Sequence, residues 1–91
     1  MKVRAHVIIN GRVQGVFFRS QTEQEANSRN VKGWVRNLHD GRVEAVFEGE
    51  EEAVKSMIEF CKHGPTGAIV TKIDVVWEDH VGGFDEFTIR Y

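Results

Sequence analysis

The strongest constraint on the fold of this chain is the order in which two hydrophobic periodicities follow one another. Alternation of apolar and polar residues indicates a strand with one buried face, whereas apolar residues three and four apart indicate an amphipathic helix. Alternation is found in five segments, residues 2–10, 33–38, 42–49, 68–78 and 84–91. Segments of helical composition or spacing, residues 19–30 and 50–63, follow the first and the third of these. The predicted order is therefore β-α-β-β-α-β with a short extra strand at the end.

The apolar faces of these segments predict the core. The first strand contributes Val3, Ala5, Val7 and Ile9; the third contributes Val43, Ala45 and Phe47; the fourth contributes Thr71, Ile73, Val75 and Trp77. The second helix has the clearer apolar stripe, formed by Ala53, Val54, Met57, Ile58 and Cys61. The first helix has only a thin one, formed by Phe18, Thr22 and Ala26.

Two split βαβ units of this kind predict an α+β protein, a ferredoxin-like α/β sandwich with an antiparallel sheet and both helices on one face. We expect one domain spanning residues 1–91. Asp40-Gly41 is a strong tight-turn signal, so the second and third strands form a hairpin. The first two strands run parallel with the third between them. The loop after the first strand and the end of the second strand should therefore meet at one edge of the sheet.

Composition narrows the classes of partner. The formal net charge is -2, so no global basic field favours nucleic acid or an anionic membrane. The single cysteine, Cys61, rules out an intrachain disulfide and fits a reducing compartment. No apolar run approaches the roughly 20 residues of a membrane span, and the first residues are too charged for a signal peptide. We expect a cytoplasmic monomer.

The stretch NGRVQGVFFRS, residues 10–20, leaves the first strand and opens the first helix. Gly11 and Gly15 allow positive φ and a close approach of the backbone to a ligand, and a helix N-terminus attracts anions. Arg19 can place its planar guanidinium over the same anion. These residues fit a phosphate or carboxylate site. From the residues alone, a structural strand-to-helix turn with an exposed arginine is slightly favoured.

The stretch GRVQGVFFR followed by GWVRN resembles the acylphosphatase family, small enzymes that hydrolyse the mixed carboxylic–phosphoric anhydride bond. The hairpin DGRVEAVFEG, the second helix and the terminal FDEFTIRY extend the resemblance over essentially the whole chain. It implies the same ferredoxin-like fold. One departure is Asn30, where the family often has glycine; because asparagine tolerates a left-handed conformation, a helix C-cap still fits there.

The resemblance also implies the site residues. The phosphate-binding loop would consist of the backbone amides of Gln14, Gly15, Val16, Phe17, Phe18 and Arg19. The Arg19 side chain would clamp the phosphoryl oxygens, and Asn37 would position the attacking water. Because a carboxylate is a good leaving group, we expect no cofactor, no metal and no strong general acid. Inorganic phosphate would be both product and competitive inhibitor.

Other residues favour ordinary structural roles. The four histidines, His6, His39, His63 and His80, have no metal-ligand spacing. Cys61 lies on the apolar stripe and is expected in the core. Of Phe17 and Phe18, one would pack in the core while the other would line the mouth of the site. The alternative is a non-catalytic module that binds an anion or RNA. The third strand, RVEAVFEG, lacks the aromatic RNA-binding motif.

Overall fold

A computed structural model describes all 91 residues. Five strands and two helices follow the predicted order: β1 (Lys2–Arg12), α1 (Phe18–Ser28), β2 (Lys32–Asn37), β3 (Val43–Glu50), α2 (Glu51–His63), β4 (Ile69–Glu78) and β5 (Phe87–Arg90). Neither helix is long and apolar enough to cross a membrane.

The five strands form one sheet in the order β4-β1-β3-β2-β5. The first four strands pair antiparallel, and β3 lies between β1 and β2 as expected. The predicted ferredoxin-like fold is confirmed. One detail was wrong: β5 pairs parallel to β2, so the sheet is mixed rather than antiparallel throughout. The parallel pairing brings the end of β5 to the same sheet edge as the end of β2.

The core lies between the sheet and the two helices. It consists of one cluster of 16 buried residues, to which the helices and strands β1, β2, β3 and β5 contribute. The faces predicted for β1, β3 and α2 are confirmed, although Val3 and Ala53 are only half-buried. Cys61 is fully buried in this cluster, and burial raises the pKa of its thiol far above its ordinary range. Cys61 is therefore a core residue rather than a nucleophile.

Helix α1 follows the prediction from its sequence closely. Its buried residues are Phe18, Thr22 and Ala26. Asn30 takes the left-handed conformation, with φ 57°. The N–H of Val31 donates to the carbonyl of Ala26 at 2.9 Å, which closes a C-terminal cap of the Schellman type. The asparagine thus replaces the glycine that usually occupies this position.

The prediction for β4 was wrong at two residues, Thr71 and Trp77, which are both exposed. Trp77 lies near the end of β4, which is an edge strand of the sheet. A bulge shifts the register between Asn10 and Gly11 of β1, so Gly11 pairs with Val70 and leaves Thr71 unpaired. Val70 packs against the core instead. A side chain at Gly11 would place its Cβ 2.0 Å from the carbonyl oxygen of Ile69. Gly11 is required for the approach of β4, not for a ligand.

A buried carboxylate fixes the segment that leads into β5. Glu48, on β3, is 2% exposed and accepts hydrogen bonds from the N–H groups of Val81 at 2.7 Å and Gly82 at 3.2 Å. Burial raises the pKa of Glu48, but the two N–H donors, His80 and Arg4 outweigh it and hold the pKa below its ordinary value. The charged carboxylate therefore anchors the 79–86 loop to the sheet.

Candidate active site

A cavity opens at the sheet edge where β1 and β2 both end. Its volume is about 220 Å³, and its lining is formed by Val13, Gly15, Phe17, Phe18, Arg19, Ser20, Asn37, Ile89 and Tyr91. The expected meeting of the two motifs is thus observed: Arg19 from α1 and Asn37 from the end of β2 line one cavity. Strand β3 separates β1 from β2 at a fixed distance and so determines the width of the cavity.

The loop before α1 presents unpaired backbone donors to this edge. Gly15 has φ 75°, and Phe17, the N-cap residue of α1, has φ 62° and ψ 25°, so two left-handed residues turn the chain within three positions. No side chain caps the helix. None of the N–H groups of residues 14–20 donates to a backbone carbonyl. Successive free N–H groups at a helix N-terminus form an anion-binding concavity.

Arg19 is the one charged side chain among the residues that line the cavity. Its guanidinium carbon lies 4.9 Å from the centre of the Tyr91 ring. The guanidinium takes part in no ion pair within the protein. Its N–H groups are therefore available to an anion in the cavity, and its plane is oriented by the aromatic ring beneath it.

Asn37 is the last residue of β2. Its Oδ1 atom is sealed from solvent and has no hydrogen-bond partner within the protein. A buried acceptor without a partner destabilises a fold by about 1–3 kcal/mol, so such a group is retained only where it serves something other than stability. Asn37 also lines the cavity, and since its oxygen is sealed from solvent, a contact of the amide with a water there falls to the Nδ2 group.

The six residues predicted for the phosphate loop divide into two groups. Four of them line the cavity: Gly15, Phe17, Phe18 and Arg19. The side chain of Val16 packs against the core, and that of Gln14 donates to the β2–β3 hairpin. The structure also shows which of the two phenylalanines, Phe17 and Phe18, is in the core. Phe18 is 2% exposed and belongs to the core, whereas Phe17 is 81% exposed at the mouth.

Sequence reasoning missed four of the lining residues, namely Val13, Ser20, Ile89 and Tyr91. The alternation of Phe87, Ile89 and Tyr91 was visible in the sequence, but the pairing of β5 with β2, which brings it to the cavity, was not. No group of three or more His, Cys, Asp or Glu side chains is placed to hold a metal ion. Metal independence stays a prediction.

Comparison with known proteins identifies the family. The acylphosphatase family model matches residues 5–89. The chain belongs to the acylphosphatase family. It is 52% identical over 91 residues to an acylphosphatase of Syntrophus aciditrophicus, covering all of this chain and 95% of the relative. It is 56% identical to one of Chloroflexus aurantiacus, covering 96% of this chain and 95% of the relative.

The fold agrees with the family as well. The crystal structure of an acylphosphatase from Bacillus subtilis superposes with a TM-score of 0.94 at 42% identity, covering 98% of this chain and 99% of that one. The resemblance drawn from the two sequence motifs is therefore confirmed, and the activity expected from it, hydrolysis of acyl phosphates, is supported by these relatives.

Proposed function

We propose that this protein hydrolyses acyl phosphates to a carboxylate and inorganic phosphate in the cavity between the 14–19 loop and Asn37. The observation that carries the proposal is the convergence of three features on one cavity. They are a run of backbone N–H groups without a backbone acceptor, an arginine without an ion-pair partner, and the side chain of Asn37. Together they provide an anion site with a polar group beside it.

The phosphoryl group would be held by charge and geometry. The N–H groups of residues 14–19 lie at the N-terminus of α1, which is the positive end of its dipole, and the Arg19 guanidinium adds a full positive charge. The transition state of phosphoryl transfer spreads negative charge over its equatorial oxygens. Donors fixed in place before the reaction stabilise that charge without reorganising, which is the largest contribution expected from this site.

The attacking water would be held by the side-chain amide of Asn37. The water oxygen forms a bond to phosphorus while the bond from phosphorus to the acyl oxygen breaks, and the bonding electrons leave with the carboxylate. An amide is too weak a base to accept the water's proton, so we assign the proton to a phosphoryl oxygen of the substrate. The carboxylate needs no general acid to depart, and no residue of the cavity is assigned that task.

We further infer a single catalytic domain over residues 1–91, since one core cluster joins residues from most of the helices and strands. Nucleic acid should not bind to the sheet face that the helices leave open. On that face Arg36 and His6 are already paired with the Glu44 carboxylate, both at 2.6 Å, so neither is free to bind a phosphate backbone. Monomeric state and cytoplasmic location stay predictions.

The decisive experiment is hydrolysis of benzoyl phosphate by the purified chain in the presence of EDTA. Turnover should persist, and Arg19→Ala should reduce kcat/KM by about 10²–10³-fold. Arg19→Lys should restore only part of this loss because a point charge does not reproduce the planar fork. Arg12→Ala is the matched control, since Arg12 is exposed in the same segment but does not line the cavity.

The outcomes separate the two interpretations. Equal activity of Arg19→Ala and Arg12→Ala would contradict the assigned site. Absence of turnover by the folded wild-type chain, with inorganic phosphate still bound, would support the alternative of a non-catalytic anion-binding module. Loss of turnover with EDTA, restored by Mg²⁺ or Zn²⁺, would show that a metal takes part.

A further inference from the structure

The side chain of Gln14 makes a contact that its place in the phosphate loop does not explain. It points away from the cavity, and its Nε2 donates to the carbonyl oxygens of Leu38 at 2.7 Å and Arg42 at 2.9 Å. Both partners are carbonyls, which only accept, so the amino group of the amide must face them. Its two hydrogens are each used once, in a half-buried position.

These two carbonyls close the β2–β3 hairpin. The N–H of Leu38 donates to the Arg42 carbonyl at 2.8 Å, and the N–H of Gly41 donates to the Leu38 carbonyl at 3.2 Å. Leu38 directly follows Asn37 in the chain. The Gln14 amide therefore binds the carbonyl of the residue that follows Asn37, while the Gln14 backbone continues directly into Gly15 and the loop of free N–H groups.

No strand pairing can replace this link. Strands β1 and β2 are separated by β3 and share no hydrogen bonds. Apart from those of Gln14, no hydrogen bond joins the loop that follows β1 to the end of β2 or to the hairpin after it. Gln14 connects them directly across the end of β3.

We propose that Gln14 is a positioning residue that fixes the Asn37 amide relative to the phosphate-binding loop. The proposal rests on the proposed function and assigns the Gln14 side chain a role that its backbone N–H does not have. In-line attack requires water and phosphorus to be held in register, and a displacement of about 1 Å reduces rates by as much as about 10²-fold. The link acts on the position of the water and leaves the N–H groups of the loop in place.

The test is Gln14→Met, which has a similar length but no donor. We expect kcat for benzoyl phosphate to fall by about 10- to 100-fold, with the Ki of inorganic phosphate within about threefold of wild type. In an Asn37→Ala background the same substitution should cause no further loss, because there is no amide left to position. Asp40→Ala is the control: it removes the contacts of Asp40 with Arg42 in the same turn but keeps the Gln14 link.

A second variant and a second measurement keep the proposal testable if Gln14→Met folds poorly or if turnover is absent. Gln14→Asn keeps the amide but is one methylene shorter, so it should lose kcat in the same way even if Gln14→Met folds poorly. The side-chain amide resonances of Asn37 should shift in Gln14→Met and stay unchanged in Asp40→Ala. This readout needs no turnover, so it distinguishes failure of the positioning role from failure of the proposed activity.

The proposal is overturned by any of three results. One is a parallel loss of kcat and phosphate affinity, which would give Gln14 a role in loop shape. Another is a double variant whose loss of kcat equals the product of the Gln14→Met and Asn37→Ala losses, which would make the two residues independent. The third is an unchanged Asn37 resonance in folded Gln14→Met.

Discussion

Replacing Asn37 by alanine should lower catalysis while leaving stability intact or raising it. The Oδ1 atom of Asn37 is sealed from solvent without a partner, and such a group costs about 1–3 kcal/mol of folding free energy. Alanine removes that cost and loses only the packing of a half-buried side chain. The free energy of unfolding should therefore stay within about 1 kcal/mol of wild type or increase. For a chain of this size 1 kcal/mol corresponds to about 4–8 °C in Tm.

The catalytic effect of the same substitution should be far larger. Without the amide, the water is no longer held in line, and we expect kcat to fall at least about 100-fold, or about 2.7 kcal/mol in the barrier. Inorganic phosphate occupies the anion site and needs no attacking water. Its Ki should stay within about threefold of wild type, which marks an interaction made in the transition state rather than in binding.

The assay combines benzoyl phosphate turnover, inhibition by inorganic phosphate and urea unfolding on the same preparations. Asn10→Ala serves as the control, since Asn10 is half-buried at the end of the same sheet but does not line the cavity. Near-normal kcat in Asn37→Ala would refute the water-positioning role. A loss of more than about 2 kcal/mol in stability, with kcat and phosphate affinity falling together, would show that Asn37 serves the fold instead.

Three further perturbations test other parts of the structure. Gly15→Ala should weaken inhibition by phosphate about tenfold, and the protein should still fold because nothing lies within 4 Å of the added methyl. Gly41→Ala, at a similar positive φ outside the cavity, should leave the Ki of phosphate unchanged. Equal Ki values for both variants would contradict the loop assignment. Phe17→Ala should raise KM several-fold for benzoyl phosphate but not for acetyl phosphate, measured by steady-state kinetics, since the exposed ring lies at the cavity mouth, where a bulky acyl group would extend. An equal effect on both substrates would contradict this. Glu48→Gln should destabilise the protein by about 1–3 kcal/mol at pH 7. Because the pKa of Glu48 is lowered in the folded protein, the stability difference between wild type and Glu48→Gln should be present above the unfolded-state pKa of about 4.3. It should disappear as the pH falls through the folded-state pKa, as followed by urea unfolding across pH. A stability difference that persists in acid would contradict the role of the charge.

The sequence by itself determined the elements and the buried faces of most of them. Successive side chains of a strand point to opposite faces, so the buried residues Val43, Ala45 and Phe47 alternate with others. This period of two can be read from residues that are adjacent in the sequence. The same holds for the stripe of α2 and for the left-handed cap at Asn30. The two motifs containing Arg19 and Asn37 could be assigned to one site because the order of elements already placed both at one edge of the sheet.

Only the tertiary structure decided what lies across from each element. The bulge that exposes Thr71 depends on Gly11, about sixty residues earlier, and the approach of Tyr91 to Arg19 depends on the pairing of β5 with β2. The hydrogen bonds from Gln14 to the β2–β3 hairpin also join residues that are distant in the sequence. A periodic pattern records which face of a segment avoids water, but it carries no record of the partner that covers that face. Register, strand partners and side-chain hydrogen bonds between distant segments are fixed only when the whole core packs.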